Sequence, residues 1–130
     1  MSESTEPYDA RQIIDHFQRD RYAILSKIEI EQVEPGRARV RMDAGDEHLN
    51  SLDMLHGGAI FTLGDMAFAV ASNAGGRAAV AVHVDIDFHR PGRAGTYYAE
   101  AAETHTTNRL AHYAVKVTDE TEVWVDTPSA

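Results

Sequence analysis

Between Asn50 and Gly76 the chain runs from a polar loop, through His56-Gly57-Gly58, into an almost wholly apolar stretch carrying one acid, Asp65, and closed by Gly75-Gly76. A helix that is hydrophobic nearly all round is a buried helix. The stretch from Ala59 to Ala74 would be about 24 Å long at 1.5 Å per residue. That is too short and too interrupted to span a membrane. The pattern therefore predicts a central helix wrapped by the rest of the chain. An ionisable group in such a helix needs a reason.

The flanking segments read as what does the wrapping. Residues 24–33 and 37–44 alternate apolar and polar, so both are expected to be strands, with Glu34-Pro35-Gly36 between them. Pairing Ile28 with Met42 and Ile30 with Val40 also sets Glu29 against Arg41 and Glu31 against Arg39. Such cross-strand pairs contribute about 0.2–1 kcal/mol each. That register implies a three-residue loop with Gly36 left-handed. It would place Pro35 at the second central position of a type I turn, which is disfavoured, so the turn type stays open.

Residues 78–89 are the clearest expected strand, with Val82, Val84, Ile86 and Phe88 on one side and His83, Asp85, Asp87 and His89 on the other. Arg90 to Gly95 reads as a turn. Residues 96–106 and 110–118 read as two more strands and 122–126 as a short last one. Near the start, Pro7 suits a first helical turn. Asp9 with Gln12 resembles a capping box, and Ile13, Ile14 and Phe17 give an amphipathic helix through about Arg21. Residues 1–6 are expected to be a frayed tail. The order is helix, two strands, long helix, four strands. It points to an α+β domain with an antiparallel sheet wrapped on the central helix. All 130 residues are expected to form one domain.

Composition narrows the function classes. The formal net charge of −9 argues against a nucleic-acid partner, because binding the phosphate backbone needs a basic surface. The absence of cysteine removes disulfide scaffolds, thiolate metal sites and cysteine nucleophiles. No apolar leader follows a basic start, so a cytoplasmic location is expected. Of the twelve basic residues, only Lys27 and Lys116 are lysine.

Several residues stand out as chemistry. At helical spacing Asp65 shares a narrow face with Thr62, Ala69 and Ser72. Either this is the solvated side of the helix, or small groups there let another backbone approach and confine the acid. A confined carboxylate has a raised proton affinity and serves as a base near neutral pH, or it attacks a carbonyl directly. His56-Gly57-Gly58 opens the helix, where unpaired N–H groups and the positive dipole end suit an anion or a polarised carbonyl oxygen. Asn50 could position a water or cap its own loop. His83, Asp85, Asp87 and His89 suggest a metal, but same-face neighbours stand about 6.5–7 Å apart, so a polar outer strand face is the plainer reading and no metal is expected. Arg90 and Arg93 flank a Pro-Gly turn and could bind phosphates. No nucleophile-elbow motif supports a Ser-His-Asp triad. His16, His48, His105 and His112 show no partner logic.

Taken together, Asn50-x5-His56-Gly57-Gly58-x6-Asp65 followed by Ile86-Asp87-Phe88-x-Arg90-Pro91-Gly92 resembles the hotdog-fold acyl-CoA thioesterases of the phenylacetate-pathway, PaaI-like type. The similarity covers roughly residues 20–126. It implies a six-stranded antiparallel sheet around the central helix, and dimers, often paired into tetramers, with two active sites at each dimer interface. Carried over by position, Asp65 would be the base or nucleophile. Asn50 would hold the attacking water or the thioester. The Gly57 N–H of the opposite subunit would polarise the thioester carbonyl, with His56 supporting that loop. Gly58, Thr62, His83, Arg90 and Arg93 would contact substrate, the arginines at the coenzyme A phosphates.

The resemblance implies hydrolysis of an acyl- or aryl-acyl-CoA to free acid and coenzyme A, with no cofactor and no membrane partner. A hotdog hydratase or dehydratase of 3-hydroxyacyl thioesters, or a hotdog domain that only binds acyl-CoA, are the alternatives. The chain departs from the pattern at Asp53, where relatives commonly have glycine, and at Ala81, where some have Ser or Thr. Tyr97, Tyr98 and Phe68 could line an aromatic pocket or belong to the core.

Overall fold

The computed structural model describes residues 9–74, 79–121 and 124–126. Helix α1 (Ala10–Phe17) is capped by Asp9, whose Oδ1 accepts from the Arg11 N–H at 3.0 Å and the Gln12 N–H at 3.4 Å. It does not continue to Arg21. A second cap intervenes, in which Asp20 Oδ1 accepts from the Ala23 N–H at 3.0 Å and starts the short helix α2 (Arg21–Leu25). The first strand, β1 (Ile28–Glu34), therefore starts four residues later than its alternation suggests.

Strand β2 (Arg37–Ala44) pairs antiparallel with β1, and Ile28, Glu29 and Ile30 face Met42, Arg41 and Val40 as expected. Beyond Ile30 the register slips by one, so that Gln32 faces Arg39 and Glu34 faces Arg37. The expected three-residue loop is thus a two-residue turn, Pro35-Gly36, with Gly36 at φ 78°. Proline at the first central position and a positive φ at the second is the type II pattern. The slip takes Pro35 out of the position that disfavours it, and a bulge at Glu31 absorbs the extra residue. Glu31 still meets Arg39, at 2.9 Å from Oε1 to Nε. Arg39 also pairs with Glu100 at 2.6 Å and lies over the Tyr98 ring at 4.1 Å.

Strands β3 (Gly95–Thr106), β4 (Ala111–Asp119) and β5 (Trp124–Asp126) complete an antiparallel sheet in the order β1-β2-β3-β4-β5. The central helix, α3 (Gly57–Asn73), lies on one face of it. Alternation decides which side chains meet it: Val40, Met42, Tyr97, Ala99, Ala101, Tyr113, Val115 and Val117 are buried there. Ile60, Leu63, Gly64, Met66, Ala67, Val70 and Ala71 are the buried positions of α3. Sheet and helix share one hydrophobic core, as the apolar run requires. No helix among the described residues is long and apolar enough to cross a membrane.

The expected six strands are five among the described residues. The missing one is the segment read as the clearest strand. Residues 79–89 form no ladder there and carry only isolated bridge positions at Asp85 and Phe88. Alternation specifies two faces, but a strand also needs an edge to pair with. Ile86 packs against the core and Val84 is half-buried, but Val80, Val82 and Phe88 are 87%, 78% and 56% exposed, so much of the apolar face of this segment is left uncovered by the described residues. The stop at Gly75-Gly76, residue 78, Pro7, the tail 1–6 and residues 122–123 lie outside the described residues.

Candidate active site

The loop leading into α3 is built by its own polar groups. Asn50 Oδ1 accepts from the N–H groups of Leu52 at 2.8 Å and Met54 at 3.1 Å. The Asn50 N–H donates to the Met54 carbonyl at 2.7 Å, and Leu49 bridges Leu55. The oxygen of Asn50 is thus committed to the loop, and its NH2 makes no hydrogen bond among the described residues. Inside this tight turn Asp53 has φ 58°, in the left-handed region that glycine adopts without cost. The departure from the family pattern is therefore accommodated by backbone that aspartate tolerates.

His56 is the N-cap of α3, and its Nδ1 accepts from the Gly58 N–H at 2.8 Å. That hydrogen bond uses one of the unpaired amides of the helix start. The Gly57 N–H has no protein acceptor among the described residues. A β-carbon on Gly57 would stand 3.3 Å from the Phe88 ring, so the residue is glycine where an aromatic edge packs on the backbone. Thr62 turns its hydroxyl back on the helix, donating to the Gly58 carbonyl at 2.7 Å.

Asp65 lies two turns further on, about 12 Å along the axis from Gly57 at 1.5 Å per residue. Its carboxylate makes no hydrogen bond or ion pair among the described residues. Its flank is open to solvent in the single chain, with Thr62, Ala69 and Ser72 half-buried beside it. Protein atoms on its inner side still strip away enough hydration to raise its pKa, and the negative charge of Asp20 raises it further. The open flank and the raised proton affinity agree once the two sides of the side chain are separated.

Beside the helix start is an open cleft of about 230 Å³, lined by Met54, Leu55, Gly57, Ile60, Phe88, Arg90 and Pro91. The Arg90–Gly95 turn is fastened on two sides. The Leu55 N–H donates to the Gly92 carbonyl at 2.9 Å. The Tyr97 hydroxyl donates to the Arg93 carbonyl at 2.6 Å and accepts from the Arg93 N–H at 2.8 Å. The guanidinium groups of Arg90 and Arg93 form no salt bridge among the described residues and both residues are exposed.

The fold brings Asn50, His56, Gly57, Gly58 and Arg90 to one end of α3 and leaves Asp65 of the same chain two turns away. His83 is exposed and pairs with Asp85 at 3.1 Å. Among the described residues no three His, Cys, Asp or Glu side chains gather into a group that could hold a metal. Tyr97 is core, with its hydroxyl on the turn. Tyr98 lies under Arg39, and Phe68 packs edge-on against Tyr113 at 5.3 Å, so none of the three lines the cleft. Sequence reasoning missed the Tyr97 staple, the nearness of Asp20 to Asp65 and the buried His48. The alternation of β3 puts Tyr97 in the core without revealing the hydroxyl's partner, and nothing periodic marks the other two.

The sequence signature of the thioesterase superfamily matches residues 52–124. An Archaeoglobus fulgidus protein is 37% identical over 102 residues, which are 78% of this chain and 66% of that protein, just under two thirds of its length. The acyl-coenzyme A thioesterase PaaI of Escherichia coli is 37% identical over 105 residues, 80% of this chain and 75% of that one. The solved structure of the E. coli PaaI protein from the phenylacetic acid degradation operon superposes with a TM-score of 0.85 at 34% identity, covering 88% of this chain and 84% of that chain.

Proposed function

The chain belongs to the thioesterase superfamily and has its hotdog fold, a helix packed on an antiparallel sheet, and from that premise we propose that it hydrolyses an acyl- or aryl-acyl-CoA thioester to a free acid and coenzyme A. The observation that carries the reading is the division of labour at the start of α3. His56 consumes the Gly58 amide, and among the described residues the Gly57 amide is left without a protein acceptor beside the Arg90-lined cleft. An oriented N–H at a helix start suits the oxygen of a carbonyl that becomes an oxyanion.

In this reading two copies of the chain make each site, since Gly57 and Asp65 of one copy are about 12 Å apart along the helix. Asp65 of one copy takes a proton from water as the water oxygen adds to the thioester carbon. The Gly57 N–H of the other copy holds the resulting oxyanion. Collapse breaks the carbon–sulfur bond, and the departing thiolate is protonated by the proton that Asp65 took from water, which restores the carboxylate. A carboxylate with a raised proton affinity is a stronger base than an ordinary one. The Asn50 NH2 holds the water or the thioester oxygen. Arg90 and Arg93 meet the phosphates of coenzyme A, and Gly58, Thr62 and His83 border the substrate.

The test is thiol release from a panel of acyl- and aryl-acyl-CoA thioesters. Wild type is expected to turn over, and Asp65→Asn is expected to lose at least about a hundredfold in kcat while remaining folded. An undiminished Asp65→Asn variant overturns the assignment. So does consumption of an enoyl thioester without thiol release, which marks a hydratase, or binding without any turnover.

A further inference from the structure

The amide donor at the start of α3 is only as well aimed as the loop that delivers it. One buried side chain holds that loop. His48, at the end of the 3₁₀ turn Asp46–His48, is 6% exposed. Its Nδ1 accepts from the Gly45 N–H at 3.0 Å, and its Nε2 lies 2.8 Å from the Ser26 carbonyl oxygen. An amide N–H only donates and a carbonyl only accepts. The ring is therefore the neutral tautomer with its hydrogen on Nε2. The residue's own backbone completes the arrangement, because the His48 carbonyl accepts from the His56 N–H at 2.8 Å. One residue thus joins the end of α2 at Ser26, the exit of β2 at Gly45 and the N-cap of α3 at His56. The salt bridge from Lys27 Nζ to Glu47 at 2.8 Å closes the outer side of the same turn.

We propose that His48 is a positioning residue. Its imidazole clamps residues 45–56 between α2 and β2, so that the His56 cap presents the Gly57 N–H in the direction a carbonyl oxygen needs. This rests on the hydrolase reading for its catalytic consequence, but the clamp itself is a statement about the loop. His48 touches no substrate. It acts through His56, whose amide it anchors and whose ring sorts the Gly57 and Gly58 donors. Misaiming a preorganised donor lowers kcat more than it weakens binding, because the bond strengthens only as the oxyanion forms.

The isosteres divide the ring's two bonds. Asn places an oxygen where Nδ1 is and keeps the Gly45 link. Gln places an NH2 where Nε2 is and keeps the Ser26 link. Ala keeps neither. The experiment measures kcat and KM for thiol release in His48→Ala, His48→Asn and His48→Gln. In parallel it follows amide hydrogen exchange at His56 and Gly58 against the amides of β2–β4.

His48→Ala is expected to lose about tenfold or more in kcat with KM within about threefold. The His56 and Gly58 amides are expected to exchange about tenfold faster while the sheet is unchanged. Asn and Gln are each expected to recover part of both losses. The proposal is overturned if His48→Ala keeps wild-type kcat, if the two amides exchange as in wild type, or if exchange accelerates equally through the sheet. If the alanine variant does not fold, the same outcomes are read on Asn and Gln against wild type. A wild type that releases no thiol from any thioester sinks the hydrolase reading, and the exchange measurement then judges the clamp alone.

Discussion

At the scale of single residues, Asp65, the base of the proposed reaction, also carries a cost in stability. Burial, and behind it the charge of Asp20, hold its folded-state pKa above that of an ordinary aspartate. The folded chain therefore binds this proton more tightly than the unfolded chain does. Its contribution is favourable at low pH and is lost as pH rises from the unfolded value, about 3.9, through the raised folded value. Asp65→Asn should then melt higher than wild type at pH 7, by thermal denaturation, and the difference should shrink in acid. A lower melting temperature for the variant at pH 7 contradicts this account. The same signs predict a kinetic effect. In the proposed reaction Asp65 acts as a base and must be ionised, so activity is expected to rise with pH through its pKa. Removing the like charge in Asp20→Asn should move the acid limb of kcat/KM to lower pH. Asp20 Oδ1 also caps α2, and asparagine retains that acceptor. An unmoved acid limb rules out the coupling.

At the scale of elements, the loop and the helix start form one device. Its parts are the Asn50 turn, the left-handed Asp53, the His56 cap and the glycine pair. Asp53 is the tolerant but not ideal residue for its backbone. A non-glycine residue in the left-handed region costs about 1–2 kcal/mol, less for aspartate, and glycine returns part of that by loosening the unfolded chain. Asp53→Gly is expected to stabilise the protein by about 0.5–1 kcal/mol in denaturant unfolding. Activity should hold within about twofold, since the loop already has the conformation glycine would take. Destabilisation would show that the Asp53 side chain contributes something its backbone does not reveal.

At the scale of the whole molecule, the proposed two-copy site has two supports. Gly57 and Asp65, the proposed donor and base, stand about 12 Å apart along α3 of one chain, too far to act on one carbonyl. The segment 79–89 also leaves Val80 and Val82 outside any core. A segment with a strand's alternation but no ladder suits pairing across an interface. We expect Val82→Asp to shift the protein to monomer in sedimentation, with circular dichroism intact and thiol release reduced at least about a hundredfold. A fully active monomer would show that one chain holds a whole site.

The amphipathic alternation of β1, β2, β3 and β4, the run of α3 and the cap of α1 were legible in the sequence, because each is a local pattern of period 2 or 3.6. The spacing of Asn50, His56, Gly57 and Asp65 was legible too, since it is order along one loop and the helix it enters. Where it failed, a partner was needed. The Pro35 turn depends on a register slip that only the β1–β2 ladder can absorb. The segment 79–89 has a strand's pattern but, among the described residues, only isolated bridge positions and no ladder. His48 is invisible until Ser26, Gly45 and His56 converge on it from three elements. By itself the order of residues determined which helix is buried and which side chains sit at its start. Tertiary structure alone decided which acid stands near another and what holds the loop, because those are contacts between segments far apart in the chain.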